Sequence, residues 1–152
     1  MKERRTIKVT GHQYHQEALA SLLDKVAPLW NISAQNAVGK PYVSTTKPIY
    51  KYKRRECTFG LQAEPTNPYD PAALKVFADG VFIGYMPQGH VEELKQLLVP
   101  GMSVWVEVYG GPCKYLVYDS KKDWRKTNDP KYYRFEEVRD YVKAVVIFEW
   151  DK

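Results

Sequence analysis

The residues best suited to chemistry lie in one short stretch, Glu64-Pro-Thr-Asn-Pro-Tyr-Asp-Pro71, where Pro65, Pro68 and Pro71 recur at three-residue intervals. Each proline fixes its own φ and pushes Glu64, Asn67 and Asp70 toward extended backbone, so the loop is stiff. Its side chains are then held in place before any ligand arrives. The Tyr69 face offers a stacking platform for a nucleobase, worth ~1 to 3 kcal/mol. The Asp70 carboxylate, an acceptor only, suits a sugar hydroxyl and repels a phosphate. The plainer alternative is that Tyr69 packs the loop onto the body of the protein while Asn67 and Asp70 cap turn N–H groups.

A second candidate is the run Lys47 to Arg55, in which Lys47, Lys51, Lys53, Arg54 and Arg55 interleave with Tyr50 and Tyr52. A strand of this kind can follow a phosphate backbone while bases stack on its rings. Strand alternation would put Lys51, Lys53 and Arg55 on one face and Tyr50, Tyr52 and Arg54 on the other. As a bare charge run it is more often a solvated face. A further basic and aromatic stretch, Lys121 to Lys126 with Lys131 to Phe135, is diluted by Asp119, Asp123, Asp129, Glu136 and Glu137.

Catalytic signals are absent from the sequence. It has no Gly-rich phosphate loop, no G-x-S-x-G and no H-E-x-x-H, so a non-enzymatic protein without a cofactor is expected. His12, His15 and Glu17 fall short of a zinc pattern, and no metal site is expected. Glu64 and Asp70 leave a metal-dependent nuclease as a distant third reading.

The elements that must position these residues are mostly strands. Thr6 to Thr10 alternates and ends at Gly11, and Leu19, Leu22, Leu23 and Val26 recur at helical spacing, which predicts a helix over Gln16 to Lys25. A strand is possible at Tyr42 to Ser44. Further strands are predicted at Ile49 to Lys53, Glu56 to Gln62, Ala73 to Phe77, Val81 to Met86, Ser103 to Tyr109, Lys114 to Tyr118 and Tyr141 to Trp150. Asp79-Gly80 marks a tight hairpin. A helix through Val91, Leu94, Leu97 and Leu98 ends at Pro100-Gly101, and Asp119 to Lys131 reads as a charged loop. The expected fold is mainly β (α+β), a small barrel, with Leu61, Leu74, Val76, Ile83, Leu94 and Val146 in its core. Residues 1–47 form an N-terminal βα extension and 48–152 the barrel domain.

The chain has 152 residues and a net charge of +5, long enough for a core without staples and basic enough to favour an acidic partner. Fourteen per cent of its residues are aromatic, twelve of them Tyr, a residue suited to binding surfaces. Cys57 and Cys113 have no metal-binding or disulfide-framework spacing, so reduced thiols are expected. No apolar run marks a signal peptide or membrane span, so no membrane association and a cytoplasmic location are expected.

The order Leu61-Gln-Ala-Glu-Pro-Thr-Asn-Pro-Tyr-Asp70, Ala72-Ala-Leu-Lys-Val76 and Gly80-Val-Phe-Ile-Gly-Tyr-Met-Pro87, followed by a helix, resembles the HIRAN family. The close match covers roughly Thr58 to Leu98. The resemblance implies an OB-like six-stranded β-barrel that recognises the 3′ end of single-stranded DNA. It also implies that Asn67, Tyr69 and Asp70 receive the terminal nucleotide, with the carboxylate accepting from a free 3′-hydroxyl. Tyr85 follows the matching Gly84, and Gln88 stands where the family has a lysine near the helix start. The family's basic-aromatic pair corresponds approximately to the run containing Tyr50, Lys51, Tyr52 and Lys53. The rival expectation is a protein-interaction adaptor of phage or mobile-element origin on the same fold, holding a protein partner through the N-terminal extension.

Overall fold

The computed structural model describes residues 1–26, 30, 33–38, 47–118 and 133–151. Among them the chain is mainly β, and it divides into two compact units that are each discontinuous in sequence. The first comprises Met1–Leu23, Arg54–Tyr109 and Tyr141–Lys152, the second Asp24–Lys53 and Gly110–Asp140. This differs from a division at residues 47 and 48. The first strand and helix are built into the larger unit rather than appended to it.

In the first unit, β1 (Lys2–Lys8), β5 (Arg55–Ala63), β6 (Leu74–Ala78), β7 (Val81–Tyr85), β8 (Ser103–Gly110) and β11 (Val142–Asp151) form one sheet in the order β1-β11-β8-β5-β6-β7. The β1–β11, β5–β8, β5–β6 and β6–β7 pairs run antiparallel. The expected closed barrel is not formed as a continuous ladder among the described residues. Its two outer strands are bridged where Thr10 and Tyr85 exchange backbone hydrogen bonds of 2.8 and 2.9 Å.

Alternation accounts for this sheet. Ile7, Val76, Ile83, Val106, Val108, Val146 and Phe148 point into one core, where Leu19 and Leu22 of α1 (Gln16–Leu22) and Leu94 of α3 (Val91–Leu97) join them. Of the expected core residues, Val76, Ile83, Leu94 and Val146 are buried, while Leu61 and Leu74 are half-buried against the same cluster. The β6–β7 hairpin turns through Asp79 and Gly80, both at positive φ (49° and 80°), as a tight two-residue turn matched to strand twist requires.

Helix α1 is shorter than its periodicity predicts. Leu23 is extended, and the next residues form β2 (Asp24–Val26), which pairs with β4 (Tyr52–Lys53). A long-range backbone partner thus takes over where helical spacing alone would continue the turn. Gln16 fixes the start of α1 by donating to the His12 and Val142 carbonyls and accepting from the Val142 N–H.

In the second unit, β10 (Tyr133–Val138), β9 (Cys113–Tyr118) and β3 (Ile49–Tyr50) form a three-stranded sheet, with α2 (Ala34–Ala37) capped by the Ser33 side chain. Lys114 is buried between the rings of Trp30 and Phe135, 4.9 and 4.0 Å from their centres, and donates to the Trp30 carbonyl. That burial lowers its pKa. The possible strand at Tyr42 to Ser44, the charged loop from Asp119 to Lys131 and the basic run Lys121 to Lys126 lie outside the described residues. No helix among the described residues is long and apolar enough to cross a membrane.

Candidate functional site

The Pro-rich loop is held by its own side chains. Asn67 Oδ1 accepts from the Tyr69 and Asp70 N–H groups at 2.9 and 3.0 Å, and Asn67 Nδ2 donates to Glu64 at 2.7 Å. Asp70 Oδ1 accepts from the Ala72 N–H at 2.9 Å. The capping roles weighed for Asn67 and Asp70 are therefore real. Tyr69 behaves differently: its side chain is 93% exposed. The loop's polar groups fix its backbone, and that fixed backbone projects a bare aromatic ring.

Beneath the ring lies a cleft of about 420 Å³, walled by Asn67, Tyr69 and Asp70 on one side and by Thr10, Tyr85, Met86, Pro87 and Gln88 on the other. Five sequence-predicted site residues, Asn67, Tyr69, Asp70, Tyr85 and Gln88, thus meet at one place. The second carboxylate oxygen of Asp70 and the Gln88 amide have no hydrogen-bond partner among the described residues.

Glu64 is the residue that organises this wall. It accepts from the Tyr85 hydroxyl at 3.1 Å, pairs with Lys75 at 2.9 Å and receives the Asn67 amide. Lys75, then Asn67 and Tyr85, hold the Glu64 carboxyl below its ordinary range, so it stays charged and keeps accepting. Burial, reinforced by Glu64, raises the Tyr85 phenol, which keeps it a donor. Glu64 is thus committed to three side-chain partners within the wall. No group of three His, Cys, Asp or Glu among the described residues could hold a metal ion. His15 meets Phe82 at a tilt, with ring centres 4.4 Å apart, and His12 meets Tyr141 edge-on at 5.9 Å.

Gly84 makes the wall possible. It lies in a register shift between β6 and β7 with φ 149°, where a Cβ would clash with the Thr10 carbonyl oxygen and stand 2.7 Å from Val9 Cγ1. Only glycine lets Thr10 approach Tyr85 closely enough to pair. Thr10 had no distinguishing signal in the sequence, because its partner is 75 residues away. Tyr14, on the turn that follows, is also 82% exposed.

The Lys47 to Arg55 run is not the continuous strand its alternation predicts. Ile49 and Tyr50 pair with β9, the Lys51 N–H turns aside to the Pro112 carbonyl, and Tyr52 and Lys53 pair with β2. Three different partners compete for five residues, and the two-faced pattern is lost. The Lys51 ammonium sits 5.7 Å from the centre of the Tyr52 ring, and Lys53 is exposed. Tyr50, Lys51, Tyr52 and Lys53 belong to the second unit, the cleft residues to the first. In the last basic stretch, Phe135 covers Lys114 and Tyr133 packs on Tyr118 at 5.5 Å, so these rings serve packing.

No family model, no curated protein and no solved structure matches this chain.

Proposed function

We propose that this chain is a non-enzymatic DNA-binding module of the HIRAN type, an OB-like barrel brought near closure by the Thr10–Tyr85 pair, that receives a free 3′ end of single-stranded DNA. The observation that carries this reading is the exposed Tyr69 ring beside a half-used Asp70 carboxylate, on a loop whose backbone is already fixed. A base can stack on such a ring with little ordering cost. An acceptor with a vacant lone pair suits a terminal hydroxyl, and among the described residues no cation lines the cleft to attract a terminal phosphate.

Fluorescence anisotropy with a labelled single strand tests the reading. Affinity is expected to fall steeply with salt, by about 0.7 in log–log slope for each phosphate contacted, and blocking the 3′ end is expected to weaken binding. A salt-independent, end-independent interaction would instead favour the protein adaptor.

A further inference from the structure

A second cleft, of about 200 Å³, opens in the first unit between Lys8, Val9, His12, Tyr109, Lys143 and Ala144. Its chemistry is opposite to that of the Tyr69 cleft. Among the described residues, two lysines and a histidine line it and no carboxylate does.

Several cations of the unit are held by carboxylates. Lys2 and Arg4 pair with Glu149, Arg5 with Glu93, Arg54 with Glu107, Arg55 with Asp79 and Lys75 with Glu64. Lys8 has no carboxylate partner among the described residues. Likewise, neither the His12 ring nor the Tyr109 hydroxyl makes a hydrogen bond there. The Lys8 ammonium and the Tyr109 phenol thus line one concave site with uncommitted hydrogen-bonding capacity, beside the His12 ring, whose Nδ1 is buried without a partner, and the Lys143 side chain. A tetrahedral oxyanion with several acceptor oxygens matches that set.

The two clefts are linked through one strand end. The Val9 N–H donates to the Ala144 carbonyl at 3.0 Å, and the Thr10 N–H donates to the Tyr85 carbonyl at 2.8 Å. Lys8 and Val9 line the basic cleft, while Thr10 lines the Tyr69 cleft. Two residues of extended chain rise by roughly 7 Å, so the clefts flank the same short piece of backbone.

We infer that the Lys8–His12–Tyr109–Lys143 cleft binds a backbone phosphate of the single strand whose terminal nucleoside occupies the Tyr69–Asp70 cleft. The inference rests on the proposed function and assigns it a phosphate contact within the same unit. Division of labour follows: the acidic cleft reads the uncharged end, and the basic cleft holds the charged chain leading to it.

The test uses the full chain and 3′-hydroxyl single strands carrying one neutral methylphosphonate at each successive position from the 3′ end. With wild type, affinity is expected to drop when the substitution falls on a phosphate near that end. Lys8→Gln and Lys143→Gln variants, checked for an unchanged Tm, are expected to ignore the substitution at that position and to lose about 0.7 of salt slope per lysine. Their preference for a hydroxyl over a phosphate end is expected to persist. Variants as sensitive as wild type at every position would overturn the inference and leave the proposed function standing. A variant that also loses its end preference would place the lysine in the end cleft and likewise overturn it. Failure of wild type to bind any strand would overturn both readings.

Discussion

The Tyr85 hydroxyl donates to the Glu64 carboxylate at 3.1 Å, which ties the Pro-rich loop to the strand end that pairs with Thr10. Glu64 also receives the Asn67 amide and the Lys75 ammonium, so one carboxylate joins the loop, β6 and β7. The stiffness attributed to three prolines is thus completed by side-chain bonds.

Asn67→Ala removes the acceptor for two loop N–H groups and the donor to Glu64. It is expected to cost about 1 to 2 kcal/mol of stability by urea denaturation, since the exposed parts of the loop regain water as partner. Strand affinity should fall further than stability alone requires, because Tyr69 and Asp70 lose their fixed backbone. Unchanged affinity would mean that the loop's order is irrelevant to binding.

Ile83 is fully buried in the main core. Ile83→Ala is expected to destabilise the protein by ~2 to 5 kcal/mol through lost burial and the cavity left behind. A neutral outcome in thermal or chemical denaturation would contradict the packing of β7.

Gly84→Ala adds a methyl where the Thr10 backbone already sits, at a φ that side chains rarely adopt. The Thr10–Tyr85 pair should open, giving faster amide exchange at both residues and a lower Tm. Protection equal to wild type would show that the strand ends meet without this glycine.

Glu93 accepts from Arg5 at 2.5 Å and lies 2.9 Å from His90, joining α3 to β1. Arg5 first, then His90, depress its pKa from the ordinary carboxylate range to about 2. A depressed carboxylate contributes stability that is present above its unfolded pKa and lost as pH falls toward 2. Tm is therefore expected to fall between about pH 4.5 and 2, and Glu93→Gln should flatten part of that decline. Parallel wild-type and variant curves would remove Glu93 from the acid response.

Much of this was legible in the sequence for local reasons. Val76 and Ile83 announce themselves by alternation, Asp79-Gly80 by turn chemistry, and Asn67, Tyr69 and Asp70 by the proline spacing. What was not legible depends on distant partners. Asp24–Val26 continues a helical pattern yet pairs with Tyr52 and Lys53, and the same pairing breaks the strand expected across Lys51. Glu64 was visible as a carboxylate before a proline, but its role as a hub needs Lys75 and Tyr85 to arrive from neighbouring strands. The interrupted unit boundaries have the same origin, since Met1–Leu23 finds its sheet partner at the opposite end of the chain.

The central claim is tested most directly by comparing single strands that differ only in a 3′-hydroxyl or a 3′-phosphate, with wild type and Asp70→Asn measured side by side by anisotropy. A hydroxyl can donate to the vacant Asp70 oxygen, whereas a phosphate would bring negative charge against it. Wild type is expected to prefer the hydroxyl end, and Asp70→Asn, which keeps an acceptor and removes the charge, should narrow the gap. Equal wild-type affinity for the two ends would contradict end recognition at this cleft.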